Sequence, residues 1–350
     1  MICGNEEAII LRCLESAKGA FDELCIVRAI GSREPDETIR LAEKWCQDNG
    51  KRFQDDEYKN LKPFPHVDNF GAARQLSFDL ATCDWCLWLD CDDYLDEINC
   101  RRIREASEHA EFDSYFCTYL VEKQGAEIER ERLIKRGAGR WKNAIHETCV
   151  VDPKKAAHVP QICVYHSDHK HKHHSSAARN AAILEGVLED APRHYFYLQA
   201  ELKMMGRKEE ALKAAKAALV LIGDSEPEWR YNVLLNLSEL EPERTREHLL
   251  EAAKAQPHRR EAFAYLCQKS LIDGNVSDAI SYFRLMDSLP LPSPLPWTHQ
   301  GIWYGWARNF LKVRVLRASN NPMAEAEHQN FLQDPEYARE VAEYEQRIAA

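Results

Sequence analysis

Near Ser175 the apolar residues stop alternating between short runs and helical stretches and settle into one helical rhythm. A single layered core does not change pattern in this way, so the chain reads as two domains. Its 350 residues also exceed the ~250–300 at which one core usually stops growing. Beyond Ser175, Ala, Leu, Glu, Lys and Arg dominate. Gly206 and Gly274 lie 68 residues apart, two steps of 34, and Ala211 and Ala279 share the offset. Pro192, Pro227, Pro257 and Pro290 punctuate the same stretch at intervals of 35, 30 and 33. Such a recurrence, with glycine between helices and proline after them, predicts helical hairpins that bury their apolar faces by stacking on one another. The middle unit lacks the glycine and is expected to be degenerate.

The first half has the alternation of a βαβ architecture. Met1–Cys3 is a clipped strand; the chain begins inside it, which is expected to weaken that edge of the sheet. Glu6–Ala17 is a helix with Ile9, Ile10, Cys13 and Leu14 on one face. Leu24–Ala29 is a second strand. Pro35 then opens a helix that Gly50 closes. Asn69–Ala81 is a further helix, Trp85–Leu89 a strand that ends in acid, and Ser114–Val121 another strand. Residues 125–165 are mixed strands and loops.

Composition excludes several classes. A formal charge of −11 argues against a general nucleic-acid binder, which needs a basic face. No apolar run approaches the ~18–20 residues of a membrane span, and no signal peptide precedes Met1-Ile2-Cys3, so a cytoplasmic protein is expected. The twelve cysteines are scattered through apolar stretches as small buried hydrophobes. Cys83 and Cys86 alone have redox or zinc spacing, but no second pair follows.

The most informative segment is Trp85-Cys86-Leu87-Trp88-Leu89-Asp90-Cys91-Asp92-Asp93. A buried strand that delivers carboxylates at its carboxyl end places them where open α/β sheets bind ligands. Asp90 and Asp92, two apart, allow one carboxylate to ligate a hard cation while the other faces a ribose or water. Magnesium and manganese favour few protein carboxylates plus phosphate oxygens. A solvent-facing acidic turn is the plain alternative.

In this setting the sequence resembles the family 2 glycosyltransferases, specifically bacterial and phage members with tetratricopeptide repeats behind the catalytic domain. Five ordered segments carry the resemblance: Met1-Ile2-Cys3-Gly4-Asn5-Glu6-Glu7, Gly31-Ser32, Asp68-Asn69-Phe70-Gly71-Ala72-Ala73-Arg74-Gln75, Asp84–Asp93, and Trp141-Lys142-Asn143-Ala144-Ile145-His146-Glu147. It implies a GT-A fold, Rossmann-like, with a nucleotide half and an acceptor half around one twisted sheet, at residues 1–170. A His-rich linker and connecting helix at 171–191 and a repeat domain at 192–350 would follow. By resemblance, Asp92 binds a divalent cation, Mn2+ or Mg2+, bridging the nucleotide-sugar diphosphate. Asp90 contacts the ribose or assists the metal, Asn5 and Glu6 line the nucleotide pocket, and His166 completes the cation's coordination. Arg74 would add positive charge at the same edge.

Transfer expels a nucleoside diphosphate from C1 of the sugar, and a cation offsets the charge that develops on it. An inverting member also needs a base for the acceptor's proton. Glu147 is the first candidate, with His146 as the other or as a metal ligand; Glu147 orienting His146 is the structural alternative. Most family members carry an Asp just before the Gly-Ser turn, where it meets the nucleotide base. Here Val27-Arg28-Ala29-Ile30 has none, and Glu34 or Asp36 would have to substitute. The His-rich run His166–His174 reads as a solvated linker rather than a metal store. Acceptors consistent with this reading are a glycan, a lipid-linked sugar, a protein or a modified nucleobase. The repeats would supply a protein-binding or self-association surface, with Tyr195, Phe196, Tyr197, Trp229 and Tyr231 serving hairpin packing. A non-catalytic nucleotide-sugar-binding scaffold is the competing reading. Nucleotidyl transfer would want a glycine-rich phosphate loop that Cys3-Gly4-Asn5 does not provide.

Overall fold

A computed structural model describes residues 1–108, 111–121, 126–167, 176–186, 191–292 and 300–349. The chain divides into two compact units, Met1–Val187 and Leu188–Ala350. Most of the His-rich run, and the proline-rich segment after Pro292, lie outside the described residues.

In the first unit, β1 (Ile2–Cys3), α1 (Ile10–Ala17), β2 (Glu23–Arg28), α2 (Thr38–Asp48) and β3 (Arg52–Glu57) form a three-stranded parallel sheet in the order β1-β2-β3. The stripe Ile10, Cys13, Leu14 and Ala17 buries α1, as its helical spacing predicts. That helix starts four residues later than the sequence suggests. The Glu6 carbonyl accepts from both Ile9 and Ile10 N–H, so Glu6 to Ile9 form a turn that leads into it. Pro35 likewise precedes α2 without opening it: one oxygen of Asp36 accepts from Thr38 N–H and hydroxyl and sets the first turn there.

Next come α3 (Phe70–Asp79), β4 (Trp85–Leu87), β5 (Asp93–Tyr94), α4 (Glu97–Glu108), β6 (Ser114–Val121), β7 (Ala126–Lys135), β8 (Gly139–Lys142), β9 (Thr148–Val151), β10 (Ala156–His166) and α5 (Ser176–Gly186). A five-stranded mixed sheet runs β4-β7-β6-β10-β5, and β8-β9 is a separate ribbon. The single twisted sheet implied by resemblance is therefore split. With two residues, β1 pairs with β2 at Ile2 and Cys3 and does not span the width between β2 and β4. A cavity of about 210 Å³ lies there, lined by Met1, Leu24, Cys86, Leu87 and Leu133 among others.

Among the elements that escaped the sequence reading are β3 and α4. The segment Arg52–Glu57 holds only Phe53 as an apolar residue because β3 is an exposed edge. Helix α4 buries just Asn99, Cys100 and Ile103, too few for a strong periodic signal. Its start was legible in Asp96, whose carboxylate accepts from Asn99 N–H.

The second unit is all helical. Three hairpins, α6 (Ala191–Met204) with α7 (Lys208–Ile222), α8 (Pro227–Leu240) with α9 (Thr245–Ala255), and α10 (Arg260–Ile272) with α11 (Val276–Ser288), start at 191, 227 and 260, steps of 36 and 33. Gly206 and Gly274 take left-handed φ of 74° and 73° between the helices of the first and third hairpins. A 3-10 turn at Pro242–Arg244 stands in for glycine in the second. Pro227 occupies the first turn of α8, where no donor is lost, so the prolines lie near the start of each hairpin. Phe196 and Tyr231 are buried in the hairpin core with Tyr195, Tyr197 and Trp229 packed against it, which makes these aromatics packing residues. After them come α12 (Trp306–Ala318), α13 (Ala324–Phe331) and α14 (Pro335–Ala349).

Candidate active site

Strand β4 runs out at Leu87, and the chain continues extended through Trp88 and Leu89 to the carboxylates. Two aromatic rings prepare the spot. Trp88 and Trp141 meet edge to face at 5.2 Å, and the Arg74 guanidinium lies 4.7 Å and 5.2 Å from their centroids. Arg74 arrives on α3, whose first turn is capped by the Asn69 side chain accepting from Ala72 N–H. Helix α3 can come this close to the 142–144 backbone because residue 71 is glycine. A Cβ there would lie 2.4 Å from the Asn143 carbonyl oxygen.

From that position Arg74 joins two segments far apart in sequence. Its Nη2 donates to Asp90 Oδ1 at 2.8 Å and its Nε to Glu147 Oε1 at 2.7 Å. Burial alone would lower its pKa; the two carboxylates outweigh that and hold it above its ordinary value. Glu147 follows a strained loop in which Asn143 and His146 have φ of 70° and 53°, unusual for residues with a side chain. The chain thereby turns sharply enough to present Glu147 to Arg74, while Arg130 donates to the Glu147 carbonyl.

Next to this triad, Asp92, Asp93 and His166 each offer a ligand atom within 4.8 Å of one another. His166 ends β10, paired with Asp93 of β5. Its Nδ1 lies 3.3 Å from Asp93 Oδ1 and 3.7 Å from Asp92 Oδ1. The hydrogen bond to Asp93, helped by the charges of Asp92 and Asp93, raises the imidazole pKa against the effect of burial. The Asp92 backbone carbonyl is tied by Arg12 Nη2 and by Ser167 N–H. The side chains of Asp90, Asp93 and Glu147 meet the guanidiniums of Arg74 and Arg132, while Arg12 and Arg130 reach the backbone carbonyls of Asp92 and Glu147. The donor set of carboxylate oxygens and one imidazole fits manganese or magnesium.

Asn5 and Glu6 lie beyond the carboxyl end of β1. Asn5 Nδ2 donates to the Glu34 carbonyl and its Oδ1 accepts from Asp36 N–H, while Glu6 N–H donates to Thr38 Oγ1. They bind the loop after β1 to the loop after β2. Asp36 accepts from Thr38 N–H and hydroxyl through one oxygen and from Glu7 N–H through the other. Cys83 and Cys86 are free thiols whose pKa values burial raises, Cys86 to about 11, the opposite of a reactive pair. Of the residues around the site, sequence reasoning missed Trp88 and Trp141 as a platform and missed Arg130, Arg132 and Tyr119. Only the Trp-rich strand hinted at them.

Residues 1–147 match the family described as Glycosyl transferase family 2. The chain is similar to the SPbeta prophage-derived glycosyltransferase SunS of Bacillus subtilis, 24% identical over 236 residues that cover 63% of this chain and 52% of that one. It is also similar to a TPR repeat-containing protein of Synechococcus elongatus, 29% identical over 262 residues that cover 69% of this chain and 60% of that one. The chain thus spans about half the length of the first of these relatives. Among solved structures, S. aureus TarS 1-349 in complex with UDP-GlcNAc aligns over 82% of this chain and 89% of that one. The TM-score is 0.38 and the identity 12%.

Proposed function

From the match of residues 1–147 to glycosyltransferase family 2, we propose that the protein moves a sugar from a nucleotide-sugar donor to a hydroxyl acceptor. The observation that carries this reading is the convergence of Arg74, Asp90 and Glu147, from three separate segments, beside the Asp92 and His166 cluster. Asp92 and His166 would hold the cation, manganese or magnesium, which when bound offsets the charge developing on the leaving diphosphate. Asp90 would face the ribose, with Asn5 and Glu6 lining the nucleotide side. The sugar's C1–O bond to the diphosphate breaks and a bond from C1 to the acceptor oxygen forms. The acceptor oxygen attacks from the face opposite the leaving diphosphate, which inverts the anomeric centre, and Glu147 takes the acceptor's proton. His146 is the neighbouring alternative for that base. Arg74 keeps Asp90 and Glu147 at a fixed spacing while its charge lies next to both.

The acceptor class is a glycan, lipid-linked sugar or protein. The helical hairpins, tetratricopeptide-like in period, would offer a protein partner or a second copy a stacked surface. No described helix is long and apolar enough to cross a membrane. A specific observation favours the competing reading of a non-catalytic donor-binding scaffold: the candidate base is already ion-paired to Arg74. Calorimetric titration with UDP-, GDP- and CDP-sugars, with and without manganese, tests the proposal against Asp92→Ala. Metal-dependent binding lost in the variant, followed by turnover with an acceptor, supports the enzyme. Binding without turnover on any acceptor favours the scaffold, and no binding to any donor defeats both.

A further inference from the structure

Asp93 belongs to the cluster that could hold a cation, yet its carboxylate is spent elsewhere. One oxygen, Oδ2, accepts from Asp90 N–H at 2.9 Å and from Arg132 Nη1 at 3.0 Å. The other, Oδ1, accepts from the Tyr119 hydroxyl at 3.0 Å and lies 3.3 Å from His166 Nδ1. A carboxylate has about four lone-pair positions; three are met by N–H and O–H donors, and a proton on His166 Nδ1 fills the fourth. Asp93 is fully buried, so no water can exchange into these contacts.

Arg132 makes this arrangement. It projects from β7, 1% exposed, with its guanidinium 3.7 Å from the Trp88 ring centroid and 4.2 Å from that of Tyr119. Nη1 also donates to the Trp88 carbonyl at 3.1 Å, tying the guanidinium to the stretch that leads into Asp90. Its Nε is buried without a hydrogen-bond partner. A buried ion pair with one unmet donor is a poor device for stability, and a well-packed apolar side chain would serve the fold as well or better. The pair's value therefore lies in what it orients.

Resting on the cation reading above, we propose that Arg132 is a positioning residue: with Tyr119, it saturates Asp93 and so reserves Asp92 and His166 as the cation's protein ligands. Asp93 then acts as the partner that orients the His166 ring, as carboxylates behind metal-bound histidines do.

Two measurements on the full chain test this. The first needs no metal: the ring nitrogens of His166 are followed by NMR in the wild type, Arg132→Lys and Tyr119→Phe. The second is Mn2+ affinity by electron paramagnetic resonance, with thermal melts to show each variant is folded. Tyr119→Phe keeps the ring over the guanidinium and decides the matter if Arg132→Lys does not fold. The expected result is a displaced His166 Nδ1 resonance and Mn2+ binding weakened about 10–100-fold in folded variants. Folded variants with unchanged His166 signals and unchanged Mn2+ affinity overturn the proposal. If the His166 signals move but the wild type binds no Mn2+, the orienting role stands and the cation reading falls.

Discussion

Both units of this protein have apolar cores, but they differ in what else they bury. Around Asp90–Asp93 the first unit buries charge: Asp92, Asp93, Arg74 and Arg132 are all nearly inaccessible, and each is held by partners from distant segments. The helical unit buries small and aliphatic side chains, Ala215, Ala218, Leu234, Ala252 and Leu266 among them, in a pattern that recurs from hairpin to hairpin. It also buries ionic groups: Arg259 bridges Glu228 and Glu261 while Tyr231 donates to Glu261, and Glu241 meets His248 and Lys216. Repeated apolar packing tolerates local variation because every hairpin contributes similar contacts. A buried polar cluster does not, since removing one partner leaves another uncompensated. The first arrangement suits chemistry and the second suits a scaffold.

The largest effect expected is on turnover. Glu147→Gln should lower kcat about a hundred- to ten-thousand-fold while leaving the melting temperature of the helical unit unchanged. His146→Gln, measured beside it, should cost less; a larger loss in His146→Gln would transfer the base to the imidazole. Leu234→Ala, in the hairpin core at 0% exposed, should destabilise by about 2–5 kcal/mol in denaturant melts yet leave donor binding intact. Donor binding lost along with stability would show that the two units are not independent, which breaks the comparison. Gly71→Ala should lie between these cases. Its Cβ forces α3 away from the 142–144 backbone, so a loss of about 1–3 kcal/mol should come with a looser Arg74–Glu147 contact, read as a raised KM and a reduced kcat.

The smallest effect concerns acid. Burial works to raise the Glu23 pKa, but bonds donated by Thr82 N–H and hydroxyl, Gln54 and Cys83 N–H outweigh it and lower it to about 2. A depressed folded pKa adds stability above the ordinary value of 4.5 that is lost as pH falls toward 2. The gap in melting temperature between wild type and Glu23→Gln should therefore be widest at pH 7 and narrow steadily as pH falls from 4.5 toward 2. A constant gap across that range would mean these hydrogen bonds do not favour the charged form.

Much of the architecture was readable before any coordinates. The hairpin starts follow from Gly206, Gly274 and the prolines because helical stacking is local and periodic, so each turn residue reports on its own neighbourhood. Strand β6 was legible in full as the apolar run Ser114–Val121. By contrast β3 and α4 were invisible, since an edge strand and a mostly solvated helix show little apolar periodicity. Among site residues, Arg74, Asp90 and Glu147 were nominated separately, with no means of knowing that one guanidinium joins them.

By itself the sequence determined that an α/β domain precedes a helical repeat, where the acidic strand end falls, and which residue types stand near it. Those features depend on spacing along the chain, and spacing is what a sequence records. Only the tertiary structure decided that the β1–β2–β3 sheet stands apart from the five-stranded one, that the Asp36 carboxylate accepts from Thr38 and Glu7, and that Asp93 meets Arg132 and Tyr119 while Asp92 sits beside His166. The reason is that a carboxylate's role depends on which donors reach its lone pairs. Those donors, Arg132 and Tyr119, lie 39 and 26 residues away and meet Asp93 only once the sheet has formed.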